Sequence, residues 1–474
     1  MAVENARQFE VESILLVPIE GKTLDITALV LEFGIYESIN NPYILGEIVI
    51  EDTTINLLAN LPIQGRERII IKTTTPTFND TVYEYDLSVS AIDTRIISGR
   101  QQVYKLNLMS YEGMVNEGVR IAGILKGPND EVVRKVLENV IETKKEIVVE
   151  PAQFPQKWLP SLKRPFDFIY QLAPITISAG VEAPKRVGQS QERATGDGEG
   201  AGVSSLKTEN LPKMSGSAGY CFFETHDGYV FKSLDQLASC GDNTDTFGGE
   251  AVKYTYNYGY VNTESKAGTE HLNILDYTFS NELNMLKQLR EGMYSTVCIF
   301  FDVNKCYYEE NIYKIKDTWE QMSHMGSQDN LPREQQELSK HSTRVMSQMI
   351  NSEMFHEDPD TNGADNAAYK DYNRYSVAQS NARYRLASNQ ELNITVPPNL
   401  TIRAGDKLEL LFPNMTSDED RKTNPYDEEH SGNYLIKNIG YNFIMRGAQP
   451  RTGTTNITLI RDCFGRKNTA SKVK

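Results

Sequence analysis

The 474-residue chain is poor in cysteine and tryptophan and lacks any long apolar run. Its five cysteines, Cys221, Cys240, Cys298, Cys306 and Cys463, are odd in number and widely spaced, and no two form a Cys-x-x-Cys pair. That argues against a disulfide frame or a clustered zinc site and predicts buried free thiols in a reducing compartment. No stretch approaches the roughly 20 apolar residues of a membrane-spanning helix. The leading MAVENARQFEVESILL carries acidic residues where a signal peptide carries basic ones, so cytoplasmic synthesis is expected. Positive charge is also short: 49 Lys and Arg face 64 Asp and Glu, a formal net charge of −15. A protein that neutralises phosphates has the opposite balance, which argues against a nucleic-acid binder.

Catalytic constellations are missing too. The six histidines (His226, His271, His324, His341, His356, His430) form no HExxH or HxH pair and read as surface or hairpin residues. There is no GxSxG elbow and no Walker A sequence. Gly196, Gly198 and Ala201 satisfy a relaxed dinucleotide pattern, but they lie in a polar loop without the strand and helix such a motif needs. Asp358, Asp360 and Asn362, with Gly363 at the sixth position, match half of a calcium loop. Tyr369 stands where a bidentate Glu would close it, so a solvated acidic loop is the better reading. The runs 418–420 and 427–429 offer paired carboxylates but read as solvated charge. Neither a cofactor nor an enzymatic activity is expected.

Strands are present in abundance. Residues 1–113 hold ILLVPI, ITALVLEF, ILGEIVIED, ERIIIKTTT, YEYDLSVSAI and VYKLNLMSYEG, separated by turn residues, a spacing that favours a barrel or sandwich. Lys126-Gly127-Pro128-Asn129 opens a mixed α+β stretch, 114–250, with Asn129 as expected N-cap of a helix carrying Val132, Val133, Val136 and Leu137. A second helix is expected from Pro165, then a polar mobile loop over 182–217. YCFFETHDGYVFK, 220–232, reads as an aromatic hairpin with a type I′ turn at Asp227-Gly228. Strands resume over 251–320 and 388–465, separated by a helical insertion, 321–387, that includes LPREQQELSKHSTRVMSQMI. A basic tail, 466–474, follows. Charge is uneven: residues 1–113 carry 8 Lys and Arg against 16 Asp and Glu, and 391–474 carry 12 against 10.

The first and last β regions echo one another. LPIQGRERIIIKTTT, a Tyr-led strand and VYKLNLMSYEG in the first correspond to NLTIRAGDKLELLFP, GNYLIKNIGYNF and TNITLIRDCFG in the last. Both have a Gly-centred hairpin, at Gly65 and Gly405. Two copies of one barrel per chain would let a trimer present six similar units around a ring.

Taken in order, IYESINNPYILGEIVIEDTTINLLANLPIQGRERI, KRPFDFIYQLA, GYCFFETHDGYVFKSLDQL, LTIRAGDKLELLFP with SGNYLIKNIGYNF, and TNITLIRDCFG resemble the baseplate central hub proteins of contractile-tailed, T-even-type phages. The resemblance implies an α+β, β-rich fold: two tail-tube-like antiparallel β-barrels with mixed α/β and helical insertions, forming a ring-shaped homotrimer. It implies a virion tail baseplate protein, assembled in the bacterial cytoplasm, that joins the tail tube to a cell-puncturing spike. Implied partners are the spike protein, tail tube or tube-initiator proteins, the tape measure protein and baseplate wedge proteins. DNA would pass through the acidic lumen unbound, and no membrane insertion is implied.

The matching residues are structural: Gly46 and Asp52, Gly65, Asp227 and Gly228, Gly405 and Asp406, Gly432 and Tyr434. Arg403, Lys407 and Glu409 are expected to point outward, toward a neighbouring subunit or the lumen. Two rival readings are the hub of a contractile injection or type VI secretion-like apparatus, and a β-rich carbohydrate-binding or glycan-degrading tail protein. No spike-like repeat follows Gly465, which favours a hub with a separate spike.

Overall fold

The computed structural model describes residues 6–53, 57–60, 63–78, 80–99, 101–179, 216–239, 252–255, 270–281, 284–303, 306–319, 322–326, 342, 344–350, 365–414, 425–446 and 451–465. The half calcium loop at Asp358, Asp360 and Asn362, the glycine pattern from Gly196, nearly all of the 182–217 loop, the 418–420 acid run, Cys240 and the basic tail lie outside them.

The fold is β-rich, with a large, mostly antiparallel sheet and few helices. Its first half comprises β1 (Glu10–Val17), β2 (Leu24–Asp25), β3 (Val30–Ser38), β4 (Leu45–Asp52), β5 (Arg68–Thr74), β6 (Tyr83–Ser98) and β7 (Gln101–Ser110). Period-two alternation sets the faces. Gly46, Ile48, Ile50 and Asp52 of β4 turn inward together, as do Ile69, Ile71 and Thr73 of β5. The strands pair in the order β3-β4-β7-β6-β5-β1, with β2 beside β1.

A middle unit follows, with β8 (Leu125–Gly127), β9 (Glu146–Val149), β10 (Gln156–Trp158), β11 (Tyr220–Thr225) and β12 (Gly228–Ser233). Helices Asn129–Val136 and Pro165–Leu172 bury Val132, Val133, Val136, Phe166, Phe168 and Ile169 against the aromatic face of β11 and β12. Proline begins the second helix because that position has no intrahelical acceptor for the missing N–H. Asn129 is the first helical residue, not the cap. Its amide is buried, donating to Thr176 Oγ1 at 2.9 Å and accepting from Trp158 Nε1 at 2.9 Å, so tertiary bonds replace the local cap.

The last region contributes β13 (Lys253–Thr255), β14 (Asp276–Asn281), β15 (Ser295–Asp302), β16 (Tyr307–Lys314), β17 (Arg344–Ile350), β18 (Gln390–Val396), β19 (Lys407–Leu411), β20 (Gly432–Ile444) and β21 (Thr452–Arg461). Six of these pair in the order β14-β18-β21-β20-β19-β13. Taken in chain order, β1, β3, β4, β5, β6, β7 and β13, β14, β18, β19, β20, β21 thus trace the same pairing path. The one departure is that β13 runs parallel to β19 where β1 runs antiparallel to β5. The two paths fuse into one sheet through β3 and β20, whose register runs from Ser38 opposite Asn438 to Glu32 opposite Ile444. One apolar core underlies both halves.

Three expectations need correction. The arm Leu400–Ile402 of the proposed 399–413 hairpin is not a strand: Thr401 donates its N–H and hydroxyl to Asn399 Oδ1, a local turn that competes with a ladder. RVMSQMI is β17 rather than helix, because β15 offers a free edge and binds it in parallel register from Thr296 opposite Arg344. Strands β15 and β16 do not join the large sheet. They form a separate three-stranded sheet with β17, whose inner face (Cys298, Phe300, Tyr313) packs on Ala378, Ala382 and Leu386 of helix Asp365–Ala387. This compact insertion lies between β14 and β18, at the position where the first half has only the short β3–β4 turn.

Candidate assembly interface

The seam between β3 and β20 is where the two halves, and the tip of the aromatic hairpin, converge. Side chains close it as well as backbone: Ser38 Oγ donates to Asn438 Oδ1 at 2.6 Å, Tyr36 OH lies 3.1 Å from Asn442 Oδ1, and Phe33 stacks on Phe443 at 4.8 Å between ring centroids. Tyr36 OH also donates to Glu47 Oε1 at 2.6 Å, and burial beside that carboxylate pushes the phenol well above its ordinary range.

Below the seam sits a buried ionic junction. Glu37, 2% exposed, accepts the His226 N–H at 2.9 Å and the Ala404 N–H at 3.2 Å. Arg403, also buried, donates Nε to Asp227 Oδ2 at 3.1 Å and caps the carbonyls of Leu400 and Ile402, while its guanidinium lies 5.1 Å above the Tyr83 ring. Burial pushes the Glu37 carboxyl up to about 7, against the pull of Arg403 and the two N–H groups. Burial would also raise Asp227, but the His226 hydrogen bond and the Arg403 charge outweigh it and hold that carboxyl at about 2. The junction therefore clamps three parts of the chain: β3 of the first half, the β11–β12 tip, and the turn before β19.

A second buried cluster holds the other end of that hairpin. Glu224 accepts from Ile44 N at 3.0 Å and Ser110 Oγ at 2.6 Å and pairs with Lys145, which also reaches Glu112 at 2.8 Å. A third ties the insertion down: Arg383 pairs with Asp235 and with Asp462 Oδ2 at 3.0 Å, and Asp462 also takes His324 Nδ1 at 2.8 Å. His324, Asp462 and Cys463 come within 4.8 Å of one another, which is metal-site spacing. Their atoms are already committed, however: His324 Nε2 faces Trp319 O at 3.0 Å, and Arg383 neutralises the carboxylate. His324 is thus a half-buried member of an ionic network and not a surface residue.

The sequence-derived residues fall into place unevenly. Asp227, Arg403 and Asp406 come together, with Asp406 Oδ2 accepting the Arg403 N–H at 2.7 Å. Arg403 and Lys407, expected to point outward, are buried. Lys407 Nζ donates to Ala238 O at 3.1 Å, because the middle unit covers this side of β19. Glu409 is half-buried and pairs with Lys253 of β13 at 3.1 Å. Gly65 and Gly405 occupy matching turns at φ +88° and +86°. Gly432 takes φ +134° at the start of β20, and buried Tyr434 donates to His430 O at 2.7 Å beneath Arg461. Gly46 sits where a Cβ would press on Leu87, and buried Asp52 caps Leu57 N–H. The two-residue turn of the hairpin is His226-Asp227, one position earlier than expected and without positive φ at either residue, so it is not type I′.

Gly228 is required for another reason. A Cβ there would sit 2.2 Å from Glu146 O, because β9 pairs in parallel with β12 at this point. Gly228→Ala is expected to cost about 1–3 kcal/mol through the forced backbone shift, read as a lower urea midpoint and faster proteolysis.

No family model and no curated protein matches the sequence. Solved structures do. A tail protein from Neisseria meningitidis MC58 aligns over 95% of this chain and 96% of its own, at 10% identity and a TM-score of 0.47. The 43 kDa tail protein of prophage MuSo2 from Shewanella oneidensis aligns over 95% and 98%, also at 10% identity and 0.47. An E. coli component of the type VI secretion system, described as structurally similar to T4 tail proteins, aligns over 96% and 76% at 10% identity and 0.41. The structural neighbours are thus phage tail and type VI secretion proteins, in keeping with the hub resemblance of the sequence.

Two strand edges stand open beside the seam. From Ala91 to Ser98, β6 has β7 as its one strand neighbour among the described residues, and every residue of that stretch is exposed, including Ile92, Ile96 and Ile97. At the far end of the sheet, β14 has only β18 among them, and Asp276, Thr278 and Ser280 are exposed. Among the described residues, no helix is long and apolar enough to cross a membrane.

Proposed function

We propose that the chain is a baseplate central hub, a virion structural protein that joins a tail tube to a cell-puncturing spike and lines the conduit for tape measure protein and DNA. The observation that carries this reading is the duplicated strand path. One chain holds two similar six-stranded units fused edge to edge, which is what a threefold ring requires to present six similar faces. Sixfold tube and threefold spike could then be matched by one homotrimer. The acidic first half, 8 basic against 16 acidic residues, suits a lumen along which DNA slides without sticking. In this reading the buried ionic clusters hold units together and perform no chemistry, so the chain is not an enzyme. Wedge, tube and spike proteins would bind the outer surfaces.

Size-exclusion chromatography with light scattering, and negative-stain imaging, test it. The expected result is a trimer with a central hole, formed alone or on addition of the spike. A solely monomeric species under both conditions, or specific glycan binding or hydrolysis, would overturn it.

A further inference from the structure

We propose that the ring closes by strand addition, β6 of one chain pairing antiparallel with β14 of the next. The inference rests on the hub reading and names the surfaces that reading leaves open. Within the chain, the seam pairs the second half of β20 with β3. By the shared strand path, β6 is the counterpart of β20 and β14 the counterpart of β3. The chain therefore displays, unpaired, one copy of each edge that it joins internally. An edge of this kind exposes N–H and C=O groups in register for another strand, and the isoleucines of β6 add apolar surface on both sides of it.

The correspondence fixes a register. In the seam, Asn442 stands opposite Gly34 and Phe443 opposite Phe33. Asn442 and Phe443 face Thr454 and Gly453 of β21, as Ile97 and Ser98 face Gln102 and Gln101 of β7. Gly34 and Phe33 face Glu47 and Ile48 of β4, as Phe279 and Thr278 face Leu392 and Asn393 of β18. Carried to the open edges, this places Ile97 opposite Phe279 and Ser98 opposite Thr278 of the next chain. The contact is heterologous, so it repeats around a closed ring instead of pairing two chains back to back. Each β6 takes one β14, and no edge is left over.

The test is cross-linking in the full chain with Cys240 and Cys306 replaced by serine. Ser98→Cys with Thr278→Cys should give, on mild oxidation, covalent dimers and trimers that dithiothreitol reverses. Directly opposed strand residues bring Cβ atoms to about 4.5–5.5 Å. Each single variant should stay monomeric on a denaturing gel. As a second measurement, Ile96→Lys with Ile97→Lys should raise the dissociation concentration of the trimer at least tenfold while leaving the circular dichroism unchanged. A trimer by light scattering that forms neither this link nor an Ile97→Cys/Phe279→Cys link, and tolerates the lysines, overturns the strand pairing and leaves the hub reading intact. A protein that never trimerises, even with the spike, overturns the hub reading itself.

Discussion

Arg403→Ala is expected to lower stability by about 3–5 kcal/mol, the range for removing one partner of a buried ion pair, and to do so more severely at pH 8 than at pH 5. The reason lies in Glu37. Its carboxyl is raised from 4.5 to about 7 by burial, so the folded chain holds a proton there that the unfolded chain releases. Its contribution to stability is fully present below about 4.5 and is lost as pH rises through about 7. Near pH 5 the group is neutral when folded, with or without Arg403. At pH 8 the native protein relies on the guanidinium to tolerate the carboxylate. Without it, Glu37 must either sit ionised and uncompensated or stay protonated at a growing cost. Urea midpoints at the two pH values read the difference, and Glu37→Gln in the Arg403→Ala background should abolish it. An equal loss at both pH values would show that Arg403 acts by packing alone.

Arg383→Met should cost a similar amount, about 3–5 kcal/mol, by a different route. The guanidinium is shared between Asp235 of the middle unit and Asp462 at the end of β21, and it comes from the helix that anchors the insertion. Burial would raise the Asp462 carboxyl, but His324 and Arg383 outweigh it and hold the group well below its usual range. Removing the arginine leaves two buried acids around one histidine. The triple variant Arg383→Met, Asp235→Asn, Asp462→Asn should recover most of the loss, since replacing a whole buried ionic set is far cheaper than orphaning part of it. Urea unfolding of the single and triple variants decides this. If the triple is worse than the single, the acids have roles beyond the arginine.

What could be read ahead of the structure was whatever repeats locally. Alternation located most strands of both halves, and Pro165 and Asn284 marked helix starts that form where expected. The shared turn at Gly65 and Gly405 was visible because positive φ favours glycine. What escaped was set by distant partners. RVMSQMI became a strand because β15 binds it, and Leu400–Ile402 stayed out of the ladder because Asn399 turns the chain. The ionic junction left one trace in the sequence: Glu37 falls on the same inward parity as Phe33 and Ile35, where a carboxylate needs a reason. Its counterions, Arg403 and Asp227, sat among residues taken for turns, and only the meeting of three chain regions shows them to be a unit.

The seam also has a consequence for synthesis. Ser38 and Asn438, which bond across it, are 400 residues apart. At translation rates of about 5–20 residues per second, the β3 edge waits roughly 20–80 s for β20 to leave the ribosome. Throughout that interval the nascent chain displays the edge that its own C-terminal half must later claim. Neighbouring chains on one polysome present the same edge, and β20 of an earlier chain could take it. Cytosolic chaperone occupancy of the first half, measured on ribosome-bound chains, should peak in this window and fall once β21 is complete.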